Sequence, residues 1–263
     1  MVDKNDIQEY IKHLPPTPEI LNQTLLYLNT NDLTKAAQTA KKDRALSSYI
    51  KSLVNKPIYG FKSEITNIAQ AFSILGIGLA KQSLYNYSLS LLLPDRWRVF
   101  TLNKALFYDL QASLSIGWHK ILQYLDVDDS DIETAIILAP ASVIICESLF
   151  QDHIQEVNLL KSSHNLSYNE ILYRLTSLDL FDISAQIAKI WGMSKASQEL
   201  IIAFKKASAQ PQINILAKWM YLLLFFEFSK SDFVEAGLND FIEFKPDFVS
   251  DIYEEFAKLM DIT

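Results

Sequence analysis

LPPTPEILNQTLLYLN (Leu14–Asn29), DRALSSYIKSLVNKPIYG (Asp43–Gly60) and EITNIAQAFSILG (Glu64–Gly76) are three apolar-periodic segments, each with its own stop signal. Pro15 and Pro16 end a short helix predicted over Asp6–His13, since a residue before proline is pushed out of the helical region. Thr17 is the predicted N-cap of the next helix, with Pro18 at its first position and Ile20, Leu21, Leu25 and Leu28 on one apolar stripe. Asp32 caps a helix to about Lys42, and Asp43 caps another carrying Leu46, Tyr49, Ile50, Leu53 and Val54. The run Asn55–Gly60 breaks the pattern, because Pro57 lacks an N–H and Gly60 tolerates positive φ. Ser63 or Glu64 then opens a helix holding Ile65, Ile68, Ala69, Phe72 and Leu75, interrupted at Gly76 and Gly78 before it resumes over Leu79–Leu93.

Pro94 closes this half, and the internal boundary is predicted near Pro94–Trp97, dividing the chain into residues 1–95 and 96–263. Beyond it the periodicity predicts a long helix over Val99–Leu125 and a second over Asp131–Phe150, kinked by Pro140. Ser130–Glu133 has the form of a capping box. Lys161–Ser167 reads as a loop, followed by helices around Tyr168–Thr176, Ile183–Trp191 and Lys195–Lys206. Pro211 opens the most hydrophobic helix. The tail holds helices over Asp232–Leu238 and Pro246–Met260, the latter with Phe248, Ile252, Phe256 and Leu259 on one face.

Apolar residues recur three and four apart through most of the chain, alternating stretches are scarce and only 6 glycines are present, so the predicted fold class is all-α. With 263 residues, 49% of them hydrophobic, the chain can bury one large core or two joined smaller ones. A net charge of -7 opposes attraction to phosphate backbones, and nucleic acid is not an expected partner. The lone Cys146 excludes an intramolecular disulfide, and the charged start MVDKNDIQEY lacks the apolar run of a secretory signal. A reducing cytoplasm is the expected location. The most membrane-like stretch, Ile213–Phe228, is interrupted by Lys218 and Glu227 and falls short of the roughly 20 apolar residues a span needs, so a buried core helix is expected there and no membrane span.

The order of signals in residues 14–76, a double-proline helix start, a helix ending in an Asn…Tyr-Gly turn and a further helix stopped by Leu-Gly, resembles the HDOD family. These are all-helical bacterial signalling domains related to the HD metal-dependent phosphohydrolases. Arg44 follows Asp43 where the family often has proline. The resemblance implies an N-terminal helical bundle (1–95) packed on a C-terminal HD-like helical bundle with a helical extension (96–263). An HD enzyme holds one or two divalent metals with His and Asp side chains, which lower the pKa of bound water and polarise the phosphoryl group. The helix aligned with the His-Asp pair is ETAIILAPASVIICE, which has no His, Asp or Glu from Thr134 through Cys146. Leu180 stands where a His precedes Trp191, Phe204 and Lys205 where the family has His-His, and Ala217-Lys218 where it has Ala-Asp. The resemblance therefore implies a lost metal site, with no catalytic, metal or cofactor-binding residues and no cofactor.

Other chemistry-bearing residues read more simply as structure. Asp126, Asp128, Asp129 and Asp131 suggest a calcium loop, but the places that need Gly and Glu hold Asp131 and Ile137, so a solvated helix-capping run is expected. His13, His119, His153 and His164 lack the helical spacing for a shared metal and are expected at the surface or hydrogen-bonded; His153, with Asp152 and Glu156, is the least poor metal candidate. Cys146 has no base or cation beside it and is expected as a buried thiol. Trp97, Trp118, Trp191 and Trp219 are expected to fill the core. Asn55, Tyr59 and Gly60 form the one candidate interaction turn, a Tyr presented beside a rigid bend. The competing reading of the same three is structural, with Asn55 capping a helix end, Gly60 supplying backbone freedom and Tyr59 packing between the halves.

The function expected from the resemblance is a non-enzymatic signal-transduction or regulatory module that acts by binding a protein partner. Two alternatives stay open. One is a small-molecule sensor holding a nucleotide or cyclic dinucleotide in the vestigial cleft. The other is a divergent HD-type phosphohydrolase with rearranged ligands. No residue pattern specifies an oligomeric state.

Overall fold

The structure, a computed structural model, describes residues 2–12 and 18–262, among which no strand is present, as the all-α expectation requires. The first helices are α1 (Lys4–Lys12), α2 (Glu19–Asn29), α3 (Leu33–Ala40), α4 (Arg44–Val54) and α5 (Ile68–Ser90). Next come α6 (Lys104–Tyr124), α7 (Ser130–Thr134), α8 (Leu138–Phe150), α9 (Ile154–His164), α10 (Tyr168–Thr176) and α11 (Leu180–Ile190). The last are α12 (Lys195–Ile202), α13 (Pro211–Phe228), α14 (Ser231–Glu235), α15 (Pro246–Val249) and α16 (Tyr253–Leu259). The chain folds as two compact units, one of residues 15–93 and 108–137, the other of residues 1–14, 94–107 and 138–263. Where the sequence predicts a single boundary near Pro94–Trp97, the polypeptide passes between units four times, once at 93/94.

In the unit of residues 15–93 and 108–137, short polar side chains start the helices. Asp32 accepts from Lys35 N at 2.9 Å, and Asp43 accepts from Ala45 N and Leu46 N at 2.8 and 3.0 Å, as predicted. Pro18 lies just outside α2, with ψ 145°, rather than at its first position. The predicted Thr17 cap, the Pro15–Pro16 stop and His13 fall outside the described residues. α5 begins at Ile68, not at Ser63 or Glu64. The backbone of Ile65 is bonded on both sides to the Asn55 side chain, and Asn67 supplies the cap to Ala69 N at 2.8 Å. Gly76, at φ 69° and ψ -176°, breaks α5 in a conformation open to glycine. Asp129, rather than Ser130, caps α7, accepting from Asp131 N and Ile132 N. Leu28, Leu46, Ile50, Phe72 and Trp118 are completely buried, each such side chain contributing about 1.5–3 kcal/mol.

In the other unit, α6 begins at Lys104 although the periodicity starts at Val99. The N–H groups of Arg98, Val99 and Phe100 are already committed, all donating to the buried Glu147 carboxylate, at 2.6, 3.0 and 3.1 Å at closest. Asn103 then caps the helix by accepting from Leu106 N at 2.9 Å. The break expected at Pro140 comes just before it, as a 3-10 turn over Ala135–Ile137, because Pro140 has no N–H to offer the Ile136 carbonyl. The loop expected over Lys161–Ser167 shrinks, since α9 runs to His164 and ends at the left-handed Asn165. α11 starts at Leu180 through an Asp179–Asp182 capping box, and α12 stops at Ile202. The tail helix predicted over Pro246–Met260 is two, α15 and α16. Phe150, Trp219, Phe241 and Phe256 are the large core side chains, with the Trp219 and Phe256 rings 5.8 Å apart.

By length and composition, one described helical run, Ser130–Phe150, is apolar enough to cross a membrane, and 83% of its most apolar window is buried inside the protein. The sequence reading instead points to Ile213–Phe228, which lies in α13 with Leu216, Trp219 and Leu223 buried.

Candidate functional site

Of the segments that an HD enzyme would use for metal ligands, the helix aligned with the His-Asp pair belongs from Leu138 onward, and the later ones entirely, to the unit containing residues 138–263. The fold brings three of them together. Leu138, Ala139 and Ser142 of α8, Leu180 at the start of α11 and Phe204 beyond α12 line one cavity, closed by Met220 and Leu224 of α13. Its volume is about 20 Å3, room for about one water. Ser142 Oγ donates to the Ala139 carbonyl at 2.6 Å, and the Phe204 ring is stacked against Phe181 with centroids 4.9 Å apart. Lys205 and Lys218 belong to ion pairs of their own. Lys205 Nζ lies 3.0 Å from Asp179 and 2.6 Å from Asp182, and Lys218 Nζ lies 2.6 Å from Asp251. A divalent metal needs anionic or imidazole donors, whereas this cavity offers hydrocarbon and satisfied hydroxyl. Among the described residues no three His, Cys, Asp or Glu are placed to share a metal. The residues at this position do not fit the metal of an HD enzyme.

Phe181 also lines an open cleft of about 320 Å3, together with Asn169, Tyr173, Arg174, Lys205 and Lys245. Burial raises the Asp179 carboxyl pKa above its ordinary value, only partly opposed by the Asp182 backbone bond and Lys205. For the Lys205 ammonium, burial is outweighed by the bonds to Asp182 and Asp179, so its pKa is raised. Burial is likewise outweighed at Glu243, where a backbone bond, Lys245 and the Ser167 hydroxyl hold the carboxyl low. Asn169 Oδ1 accepts from Leu180 N at 3.0 Å. The inward polar groups are thus engaged within the protein, while Tyr173 and Arg174 stand exposed at the rim.

The predicted interaction turn lies in the unit of residues 15–93 and 108–137, and its residues divide in role. Asn55 Nδ2 donates to the Lys51 and Ile65 carbonyls at 2.8 and 2.9 Å, and Oδ1 accepts from Ile65 N at 2.8 Å. Pro57–Tyr59 forms a 3-10 turn closed by Gly60, whose N–H donates to the Pro57 carbonyl at 2.9 Å with φ 68°. Tyr59 is half-buried and stacks on Phe61, with ring planes 11° apart. The exposed apolar groups are Ile58 and Phe61, at 44% and 40%. Sequence reasoning passed over both; the signal for them is two apolar residues flanking a Tyr in a segment already broken by Pro57 and Gly60.

The remaining candidates are held in local pairs. His119 Nδ1 lies 2.5 Å from Glu133 Oε1, a bond that raises the imidazole pKa despite burial. Asp126, Asp128 and Asp129 line an open cleft beside that pair, and Asp131 is bridged to Lys81 at 3.3 Å. His153 lies 3.6 Å from Glu156. Cys146 is fully buried, and burial first, then the Glu147 charge, pushes its thiol pKa well up. Glu147, the most heavily bonded buried carboxylate at this end of α8, carries no sequence signal of its role.

The HDOD domain family matches residues 14–207. No curated protein matches the chain. An HDOD domain protein of unknown function from Geobacter sulfurreducens is similar in structure, with TM-score 0.64 and 15% identity over 97% of this chain and 95% of that one. A candidate phosphohydrolase of Shewanella amazonensis SB2B has TM-score 0.66 and 16% identity, over 96% of this chain and 93% of its own. A candidate signal transduction protein of Marinobacter aquaeolei VT8 has TM-score 0.66 and 20% identity over 97% of this chain, which spans 58% of that longer one. At these identities the likeness is one of fold.

Proposed function

Because this chain belongs to the HDOD domain family, we propose that it is a non-enzymatic regulatory module of signal transduction that works by binding another protein. The observation that carries this reading is the cavity of about 20 Å3 where Leu138, Leu180 and Phe204 meet. Metal-assisted phosphoryl chemistry needs ligands that activate water and polarise the phosphoryl group, and hydrocarbon side chains do neither. A signal transduction assignment of one structural neighbour agrees with the reading, and the proposed site of action is a reducing cytoplasm, which a single, buried thiol suits.

The test is elemental analysis of the purified protein together with phosphodiesterase and phosphatase assays in added manganese, iron or magnesium. The expected result is no stoichiometric metal and no turnover. Bound metal with turnover abolished by chelation overturns the reading and restores the phosphohydrolase alternative.

A second reading, a small-molecule sensor, draws on the open cleft beside Phe181. A nucleotide needs several hundred Å3, which the closed cavity lacks and the 320 Å3 cleft with Arg174, Lys205 and Lys245 offers. Calorimetry with nucleotides and cyclic dinucleotides tests it, and saturable binding lost in Arg174→Ala supports it.

A further inference from the structure

We propose that the exposed face of α4, with the Ile58–Phe61 turn that follows it, is a docking surface for an acidic segment of a partner protein that also carries apolar side chains. This rests on the reading of the chain as a protein-binding module and names the surface and the chemistry of the partner.

Charge is the first observation. Between Lys41 and Lys62 the chain holds six cations, Lys41, Lys42, Arg44, Lys51, Lys56 and Lys62, against one carboxylate, Asp43, so this segment is +5 in a chain of net -7. Asp43 is turned into the helix cap, accepting from Ala45 N and Leu46 N. Lys56 is paired with Asp109 at 2.5 Å. Lys41, Lys42, Arg44, Lys51 and Lys62 form no ion pair among the described residues. Along a soluble chain cations usually alternate with acids, and between Lys41 and Lys62 they do not.

Placement is the second. Within α4 the buried residues are Leu46, Tyr49, Ile50, Leu53 and Val54, so Arg44, Ser48 and Ser52 lie together on the opposite, exposed face, with half-buried Lys51 at its edge and Asn55 at its end. At 1.5 Å per residue that stripe is about 16 Å long. It is flanked by Lys41 and Lys42 at one end and by the turn at the other.

The third is the turn itself, which ends the basic stripe with exposed Ile58 and Phe61. Exposed apolar groups on a mobile loop would lose much of their binding energy to ordering. Here the Asn55–Ile65 bonds, the Gly60 bend and the Tyr59–Phe61 stack fix the loop beforehand. An apolar anchor beside a one-sign flank fits a partner that is acidic and apolar: charge steers the encounter, and the buried aromatic supplies affinity. A duplex nucleic acid, its bases already stacked, would use the cations but leave Ile58 and Phe61 without a counterpart, and the chain's overall charge repels it.

The test uses the full chain and a synthetic peptide with Asp and Glu on one helical face and Leu and Phe on the other, followed by fluorescence anisotropy. Two control peptides replace the acids by Asn and Gln, or the Leu and Phe by Ala. The expected result is saturable binding weakened about 10-fold or more by either control, by Arg44→Glu with Lys62→Glu, and by Ile58→Ser with Phe61→Ser. All four substituted residues are exposed, and circular dichroism checks that the helical fold is kept. No binding, binding indifferent to the substitutions, or tighter binding of duplex DNA of equal charge overturns the proposal. A salt-sensitive dimer in sedimentation that Arg44→Glu with Lys62→Glu abolishes also overturns it, by making a second copy the occupant. Failure here without turnover in the enzyme assays removes this surface and leaves the regulatory reading, whereas turnover removes the reading itself.

Discussion

Asn55 and Ile65 exchange two hydrogen bonds across ten residues, the Asn55 amide donating to the Ile65 carbonyl at 2.9 Å and accepting the Ile65 N–H at 2.8 Å. One side chain thus plays the part of a paired backbone segment and closes the loop between α4 and α5. Asn55→Ala leaves the buried Ile65 backbone without these partners and is expected to cost about 1–3 kcal/mol in urea unfolding. Asn55→Asp, which keeps the acceptor and loses the donor, is expected to fall between the two. Equal stability of all three proteins would contradict this account.

Glu147 is expected to be a far more sensitive position. Its carboxylate is inaccessible to water and receives the N–H groups of Arg98, Val99 and Phe100. Glu147→Gln places an NH2 group against backbone N–H and leaves donors unmet, at a cost of roughly 2–5 kcal/mol. Chemical denaturation of the variant checks it, together with loss of exchange protection at Val99 and Phe100.

At the cavity, Leu180→Ala removes a side chain that is 1% exposed from a site already carrying a void. The expected loss is about 3 kcal/mol, within the range of large-to-small core substitutions. Leu180→His is expected to bind no manganese or iron, since the cavity it faces is lined by no carboxylate or imidazole and the neighbouring Asp179 is engaged by Asp182 N and Lys205. Stoichiometric metal in that variant would show that side chains around the cavity can close on a cation.

The His119–Glu133 pair gives a stability term with a defined pH sign. The bond to Glu133 raises the histidine above its ordinary pKa of about 6.5, so the contribution is fully present below that value. It is lost as pH rises through the folded-state value. The difference in unfolding free energy between the protein and His119→Gln should therefore shrink towards alkaline pH. It should stay below about 1 kcal/mol, because the histidine is partly exposed. A difference that grows with pH would rule the pair out.

Gly78→Ala tests the same pair from the opposite side. A Cβ built there falls 1.3 Å from Glu133 Oε2, so the Glu133 side chain must swing away and release His119. The histidine titration followed by NMR is expected to move down towards its ordinary value, even though alanine favours the helix by up to about 1 kcal/mol.

The helix starts at Asp32 and Asp43 were legible because a cap is a local signal, read from residues two or three apart. Ser63 or Glu64 and Val99 were wrong starts for a common reason. In each case the backbone that would have joined the helix is bonded to a side chain distant in sequence, Asn55 or Glu147, and periodicity carries no information about such partners. Among the described residues, the tail split into α15 and α16 has no such backbone partner to account for it. At the candidate site, the resemblance singled out Leu180 and Phe204, which line the cavity, by residue type and position. That Leu138, Leu180 and Phe204 would close around a single small void depends on packing among α8, α11 and α13. The exposure of Ile58 and Phe61 was hidden for the opposite reason, since their residue types read as core.

The interleaving of the two units along the chain also governs how this protein can be dissected. A fragment cut at residue 95 would carry α4 and α5 without residues 108–137. Tyr49 would lose the Gln111 side-chain amide oxygen that its hydroxyl reaches at 3.0 Å, Lys81 would lose Ser130, and Gln82 would lose the Glu133 backbone. The matching C-terminal fragment would retain those partners with nothing to receive them. Neither piece is a transferable cassette, and grafting the docking turn onto another scaffold requires carrying both stretches of sequence together.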